Sequence, residues 1–301
     1  MTNQIIVRLN PDVPPTGSDL GIVNAARKSF GRRSDWEYFE TDAPAVKVDQ
    51  GVYAKDQYLY TQEQLGSFYT KKLKPKDKRL LEFLARGMTA DDFDKFLEYT
   101  SSVAADWQEH FVDVDKKIMT EKLWEWRNTP SHDTPVNHSF FSFEVKAPIF
   151  VARHLVKHEY LIMSEYSRRY ITDDVEFYTP DVWRKAAADV KQGSSDEGVD
   201  KLPKVGRYGE FDYEDICGLS LALYEQYIEA GVAPEQARMV LPQSLMTSWT
   251  WSGTLGAFAN MCKLRLSKDT QYETRLVAQG VYTELKKQFP IAAPLLVEGV
   301  L

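Results

Sequence analysis

The chain carries only two cysteines, Cys217 and Cys262, in 301 residues, and their spacing matches neither a metal ligand set nor a redox pair. That excludes a disulfide framework and points to a reducing compartment. No run approaches the roughly 18 apolar residues of a membrane span. The first residues, MTNQIIVRLN, are too poor in apolar side chains for a secretory signal. Positive charge is also short: 37 Lys and Arg against 44 Asp and Glu leave a net charge of −7. A general nucleic-acid binder shows a basic surface, so long DNA or RNA is not the expected partner, although a few cations suffice to hold a small anion. No internal repeat or low-complexity tract is found. What the chain has in quantity is core material, 43% hydrophobic residues, enough for one large domain or two small ones. These features predict a soluble cytoplasmic protein with neither nucleic acid nor membrane as partner.

Local patterns predict an α+β chain rich in helix. Ile5 to Leu9 reads as a β-strand before a turn holding Pro11, Pro14 and Pro15. A helix is expected from Ile22 to Phe30, then a polar, aromatic and irregular stretch to Leu65. Asp77 to Tyr99 reads as helix in two pieces broken at Gly87, and Lys117 to Arg127 as another. Phe141, Phe143 and Val145 alternate with polar residues, a strand pattern, and Pro148 opens a helix reaching Val156. Gln192 to Tyr213 reads as a loop rich in Gly and charge. Asp212 can cap a helix from Tyr213 to Ala230 that Gly231 closes, and Pro234 opens a short one ending near Pro242. Gln271 to Gln288 is amphipathic, with Val277, Val281 and Leu285 on one face.

Chemistry concentrates in one segment. Four of the five histidines, His132, His138, His154 and His158, lie between positions 132 and 158. On the expected helix His154 and His158 are four apart and share a face beside Lys157. Ser164, Glu165, Ser167, Arg168, Arg169 and Tyr170 follow. Buried polar groups must be paired, so this density implies a ligand, an interface or a solvated face. Three readings stand side by side. One is a solvated helix end followed by a strand. Another is a metal site from His154, His158 and Glu159, without the HExxH order or a nearby cysteine. The third is an anion site in which Ser167 and Arg169 flank a phosphate, Arg giving a fork of donors and Ser a hydroxyl. A second segment adds Arg238, the aromatic and hydroxyl-rich stretch Thr247 to Thr254, and then Asn260 and Arg265.

Together these stretches resemble the flavin-dependent thymidylate synthases. That family carries an Arg-His-Arg triplet, seven residues and a Ser. The aligned residues are Lys157, His158 and Glu159, then Tyr160 to Tyr166, then Ser167. Ser164 to Tyr170, SEYSRRY, is similar to the end of that motif. His132 to Pro135 resembles its His-x-Thr/Ser-Pro element, and Val145 to Arg153 fits almost unchanged. Ala237 to Pro242, Trp251, Asn260, Leu264, Arg265 and Gln271 to Glu273 keep the family's order, as do Ala25 to Arg27 and Ser29 near the start. The departures are Lys157 and Glu159 in place of two arginines, His154 where a Gln is usual, Thr254 and Gly256 at positions that often touch the cofactor, and a longer stretch from about 31 to 130.

The resemblance implies a helix-rich single domain over 1–301 around a central antiparallel sheet, with an insertion at about 31–130. It implies reductive methylation of dUMP to dTMP with FAD, NADPH and methylenetetrahydrofolate, in a homotetramer whose sites are shared between subunits. It implies no enzymic cysteine, in keeping with Cys262 as a core residue. Arg265 matches the residue that polarises the pyrimidine, a fixed cation beside the uracil carbonyl. Nucleotide contacts are carried over to His154, Lys157, Glu165, Ser167, Arg168, Arg169, Arg238 and Arg265. Flavin contacts are carried over to His132, Thr134, Lys157, His158, Glu165, Thr254 and Asn260. Glu159 would repel a phosphate. Tyr170 and Trp251 suit core and site equally. The alternatives are a hydroxymethylase of dUMP or dCMP on the same fold, and, in another class, a metal-dependent enzyme or a non-catalytic nucleotide-binding protein.

Overall fold

The computed structural model describes residues 4–40, 53–55, 58–60, 69–86, 134–187, 194–204, 206 and 209–298. They belong to two compact units, Met1–Thr16 with Val136–Leu301, and Gly17–Pro135. The second unit thus begins before the expected insertion and takes in the first helix.

The chain enters through β1 (Ile6–Leu9), as its apolar run requires, and then builds the second unit. There α1 (Asp19–Lys28) starts three residues earlier than expected, because the Ser18 hydroxyl accepts from Gly21 N at 3.1 Å and caps it. The stretch expected to be irregular holds β2 (Glu37–Glu40), β3 (Tyr53–Lys55) and β4 (Tyr58–Tyr60), and β5 (Tyr69–Lys72) follows. β2 pairs with β5 and β3 with β4, in keeping with the strand preference of their Tyr and Phe residues. In α2 (Pro75–Arg86), Leu81 and Leu84 are buried. Its first turn carries Asp77, fully buried, which takes the Arg27 guanidinium on one oxygen and the Ser34 hydroxyl on the other. Asn24 locks Ser34 in turn, accepting from its N at 2.8 Å and donating to its carbonyl at 3.1 Å. The helix expected beyond Gly87, the one at Lys117 to Arg127, and His132 lie outside the described residues.

The first unit resumes with β6 (Phe140–Pro148), α3 (Ile149–Leu155) and β7 (Leu161–Glu165). Part of the expected charged loop forms a hairpin instead, β8 (Arg184–Ala186) with β9 (Ser194–Gly198). α4 (Tyr213–Glu229) has the expected start and stop: Asp212 and Asp215 form a capping box, and Gly231 takes a left-handed φ of 82°. α5 (Pro234–Ala237) runs into a 3₁₀ turn, Arg238–Val240. β10 (Met246–Thr254), α6 (Leu255–Arg265), α7 (Tyr272–Gln288) and α8 (Ala292–Val297) complete it. The four-stranded antiparallel sheet runs β1-β6-β10-β7, an α+β arrangement.

One face of the sheet makes the core. Phe141, Phe143 and Val145 of β6 and Trp251 of β10 are buried, and Phe258 of α6 meets Phe143 edge-on at 4.9 Å and Trp251 at 5.3 Å. Val277, Val281 and Leu285 of α7 are fully buried, as their spacing requires. α7 lies so close to β1 that a Cβ at Gly280 would come within 2.8 Å of Val7 Cβ. Gly280→Val is therefore expected to destabilise the protein by ~1–3 kcal/mol through overpacking, read as a lower urea midpoint at an unchanged m-value. No described helix is long and apolar enough to cross a membrane.

Candidate functional site

The histidine segment does not form one helical face. α3 stops at Leu155, and His158 N bonds the Leu155 carbonyl at 3.1 Å in the turn that follows. The chain then reverses at Tyr160, in a left-handed φ of 63° uncommon for a bulky residue, to enter β7. His154 and His158 are thus held by different partners. His154 Nδ1 meets the buried Thr274 Oγ1 of α7 at 3.1 Å, and His158 Nε2 accepts from Arg265 Nε at 2.9 Å. This correction weakens the reading of the pair as a shared metal site. Among the described residues no group of three or more His, Cys, Asp or Glu side chains is placed to hold a metal ion.

Arg265, at the end of α6, looks into an open cleft of about 1250 Å³. Its Nη2 also approaches the His154 carbonyl at 3.4 Å. The cleft is walled by Phe150, Tyr178, Trp183 and Tyr213, and lined further by His154, Asn260, Lys263, Arg184 and Glu273. Burial, then Arg265, then Lys157 lower the His154 pKa; burial and then Arg265 lower that of His158 to about 4. Both rings are therefore neutral near pH 7, and neither offsets the charge of Arg265. Arg184 is committed differently. It pairs with Glu273, donates to Ser194 Oγ at 3.0 Å and stacks over Tyr272 at 3.9 Å, which fastens the β8–β9 hairpin to the start of α7. Tyr213 donates to the Tyr178 carbonyl at 2.6 Å, and burial raises the pKa of both phenols to about 12.

Of the residues singled out in the sequence, the cleft gathers His154, Asn260 and Arg265, with His158 behind Arg265. The rest stand elsewhere. Glu165 on β7 accepts from Thr247 Oγ1 of β10 at 2.9 Å. Arg168 is buried and gives its guanidinium to the carbonyls of Asp173 and Asp174, bracing the turn after β7. Ser167 Oγ accepts from Arg169 N and Nε, each at 3.4 Å, and Arg169 lies over the exposed ring of Tyr170. Arg238 is exposed on its 3₁₀ turn, with Nε on the Glu235 carbonyl at 3.3 Å. Lys157 and Glu159 are exposed. Thr254 caps α6, accepting from Ala257 N at 3.2 Å and donating to Asn137 Oδ1 at 2.6 Å. Thr134 is exposed where the 3₁₀ helix Thr134–His138 begins.

Sequence reasoning missed the aromatic wall and Arg184. The one signal for them was the aromatic cluster of the stretch Phe177 to Trp183, which ends beside a lone arginine. Neither thiol lines the cleft. Cys217 and Cys262 are both buried, and Cys262 donates weakly to the Ala278 carbonyl at 3.7 Å, with burial driving its pKa up. A buried, protonated thiol is a poor nucleophile.

The family model of the thymidylate synthase complementing proteins matches residues 69–291. The flavin-dependent thymidylate synthase of Thermus thermophilus is 36% identical over 168 residues, 54% of this chain and 57% of the relative. The chain thus spans little more than half the length of that relative. The enzyme of the same name from Pseudothermotoga lettingae is 29% identical over 214 residues, 70% of this chain and 90% of the relative. The fold is shared with a crystal structure of the UMP/dUMP methylase PolB from Streptomyces cacaoi bound to 5-Br dUMP, at a TM-score of 0.54 and 20% identity over 96% of this chain and 93% of the other. The match covers most of the chain, and the chain belongs to the thymidylate synthase complementing protein family, that of the flavin-dependent thymidylate synthases.

Proposed function

We propose that the protein is a methyltransferase of the cytoplasm that converts dUMP to dTMP, with the uracil ring presented to Arg265. The observation that carries this reading is the setting of Arg265. It stands where the family has its pyrimidine-polarising arginine, it faces the cleft, and its hydrogen-bond partners are neutral. A guanidinium fixed beside a uracil carbonyl stabilises the electron-rich ring that attacks the one-carbon unit. The buried thiols support a route without an enzymic cysteine.

The cleft suits FAD as well as the nucleotide. Its volume of about 1250 Å³ exceeds that of most single-ligand pockets, which run to roughly 1,000 Å³. Its aromatic walls offer faces to planar rings, and Lys263 and Arg265 offer charge to anions. Asn260, which lines the cleft, would hold the flavin, while Lys157, Glu165 and Thr254 stand outside the cleft at other positions where the family contacts it. FAD bound there would supply the hydride, with NADPH as its reductant and methylenetetrahydrofolate as the carbon donor. Ser167, Arg169 and Arg238 do not line this cleft, and in the homotetramer expected of the family they would serve a neighbour's cleft.

The test is direct. The purified protein is expected to show flavin absorption bands and, with FAD, NADPH, methylenetetrahydrofolate and dUMP, to form dTMP identified by mass. Absence of dTMP under these conditions overturns the proposal. A hydroxymethylated product, or turnover of dCMP in place of dUMP, would favour the hydroxymethylase reading, and a colourless protein carrying stoichiometric metal the metal-dependent one.

A further inference from the structure

Among the described residues no carboxylate holds Arg265. Its Nε–H donates to His158 Nε2 over 2.9 Å. An acceptor nitrogen carries no proton, so the ring proton of His158 sits on Nδ1. A carboxylate at that place would also fix the guanidinium, but it would cancel most of the charge that the cleft receives. A neutral imidazole fixes the direction and leaves the charge whole.

We propose that His158 is the positioning residue of Arg265, a neutral acceptor that aims the guanidinium into the cleft without neutralising it. The inference rests on reading Arg265 as the pyrimidine-polarising cation and adds the means by which that cation is oriented. The backbone is built for this task. His158 is tied to the end of α3 through the Leu155 carbonyl, and the left-handed turn at Tyr160 starts β7 immediately after. Gly253 of β10 admits that turn, because a Cβ there would come within 2.9 Å of the Tyr160 carbonyl. The backbone that carries the ring is thereby fixed, and Arg265 reaches the ring from α6.

Among the described residues, the charged group that meets the His158 ring is Arg265 from α6, which also approaches the His154 carbonyl of α3, and the chain neighbours Lys157 and Glu159 are exposed. Burial and Arg265 lower the pKa of His158 to about 4. The sign follows: the unfolded ring takes up a proton near pH 6.5 and the folded one does not. In the folded protein the hydrogen bond persists until the ring titrates near 4, while the stability it is linked to is complete above about 6.5 and declines as the pH falls from there toward 4.

The first measurement is histidine ¹⁵N–¹H correlation in the wild-type protein without substrate. His158 is expected to show a protonated Nδ1 and an unprotonated Nε2, unchanged from pH 8 to roughly pH 5. A protonated Nε2, or a midpoint near 6.5, overturns the proposal. The second compares His158→Gln, which keeps an acceptor oxygen, with His158→Phe, which keeps bulk and no acceptor. Loss of the bond is expected to lower kcat roughly 10- to 100-fold in His158→Phe, with most of it restored in His158→Gln and the KM for dUMP little changed. The Arg265 Nε–H resonance should shift in the Phe variant, which reads the contact even if that variant is unstable. Equal losses in the two variants, equal loss of bound flavin, or an unshifted Arg265 signal each refute the role. A wild-type protein that makes no dTMP would defeat the proposed function alone, since the resonances report the hydrogen bond independently.

Discussion

Replacement of Arg265 by Ala is expected to lower kcat for dTMP formation by roughly 100- to 1,000-fold, the cost of removing one preorganised electrostatic donor from a site. The fold should survive, because Arg265 ends α6 with its guanidinium turned toward an open cleft rather than into the core. The circular dichroism spectrum and melting temperature should therefore stay close to those of the parent. Arg265→Lys is expected to recover little. An ammonium lacks the fork that reaches His158 and the His154 carbonyl together and still faces the cleft. KM for dUMP should move less than kcat if the cation acts on the charge that develops during reaction. Full activity in Arg265→Ala would remove Arg265 as the polarising residue.

A second large effect is expected within the second unit. Asp77 is fully buried and balances Arg27, whose side chain is 17% exposed, while also accepting from Ser34. Asp77→Ala strands a guanidinium in the second unit and is expected to destabilise it by ~3–5 kcal/mol, the usual cost of breaking a buried pair by removing one partner. Urea titration followed by circular dichroism would read the loss. The paired change Arg27→Met with Asp77→Leu should cost far less, because no charge is left without a counter-ion. If the single and paired variants lose equal stability, the network owes its strength to packing rather than to charge.

The sequence made some of this legible because the relevant signals are local. Asp212 and Gly231 mark the ends of α4 through hydrogen-bonding capacity and a permitted backbone angle, properties a residue carries wherever it stands. The face of Val277, Val281 and Leu285 is read from spacing alone. β10 was missed although Trp249, Trp251 and Gly253 are buried alternately, because hydroxyl groups between them masked the apolar contrast. The β8–β9 hairpin had no such contrast to detect, since Ser194–Gly198 is polar throughout and its place depends on the distant Glu273. The end of α3 was hidden for another reason. Neither Gly nor Pro stops it, and the reversal is made by a tyrosine in an angle that its type rarely adopts. Family pattern singled out Arg265, Asn260 and His154, and these three line the cleft. It could not indicate Arg184, Tyr178 or Trp183, which meet the cleft only through the packing of the first unit.

The enclosure of both thiols has a consequence for the conditions the protein tolerates. With Cys217 and Cys262 shut inside the core, an oxidant or alkylating agent in the surroundings finds no sulfur at the cleft to modify. Resistance to that kind of injury then comes from packing rather than from repair. The vulnerability shifts to acidity, because an imidazole protonated from solvent at Nε2 can no longer accept the hydrogen bond that Arg265 donates.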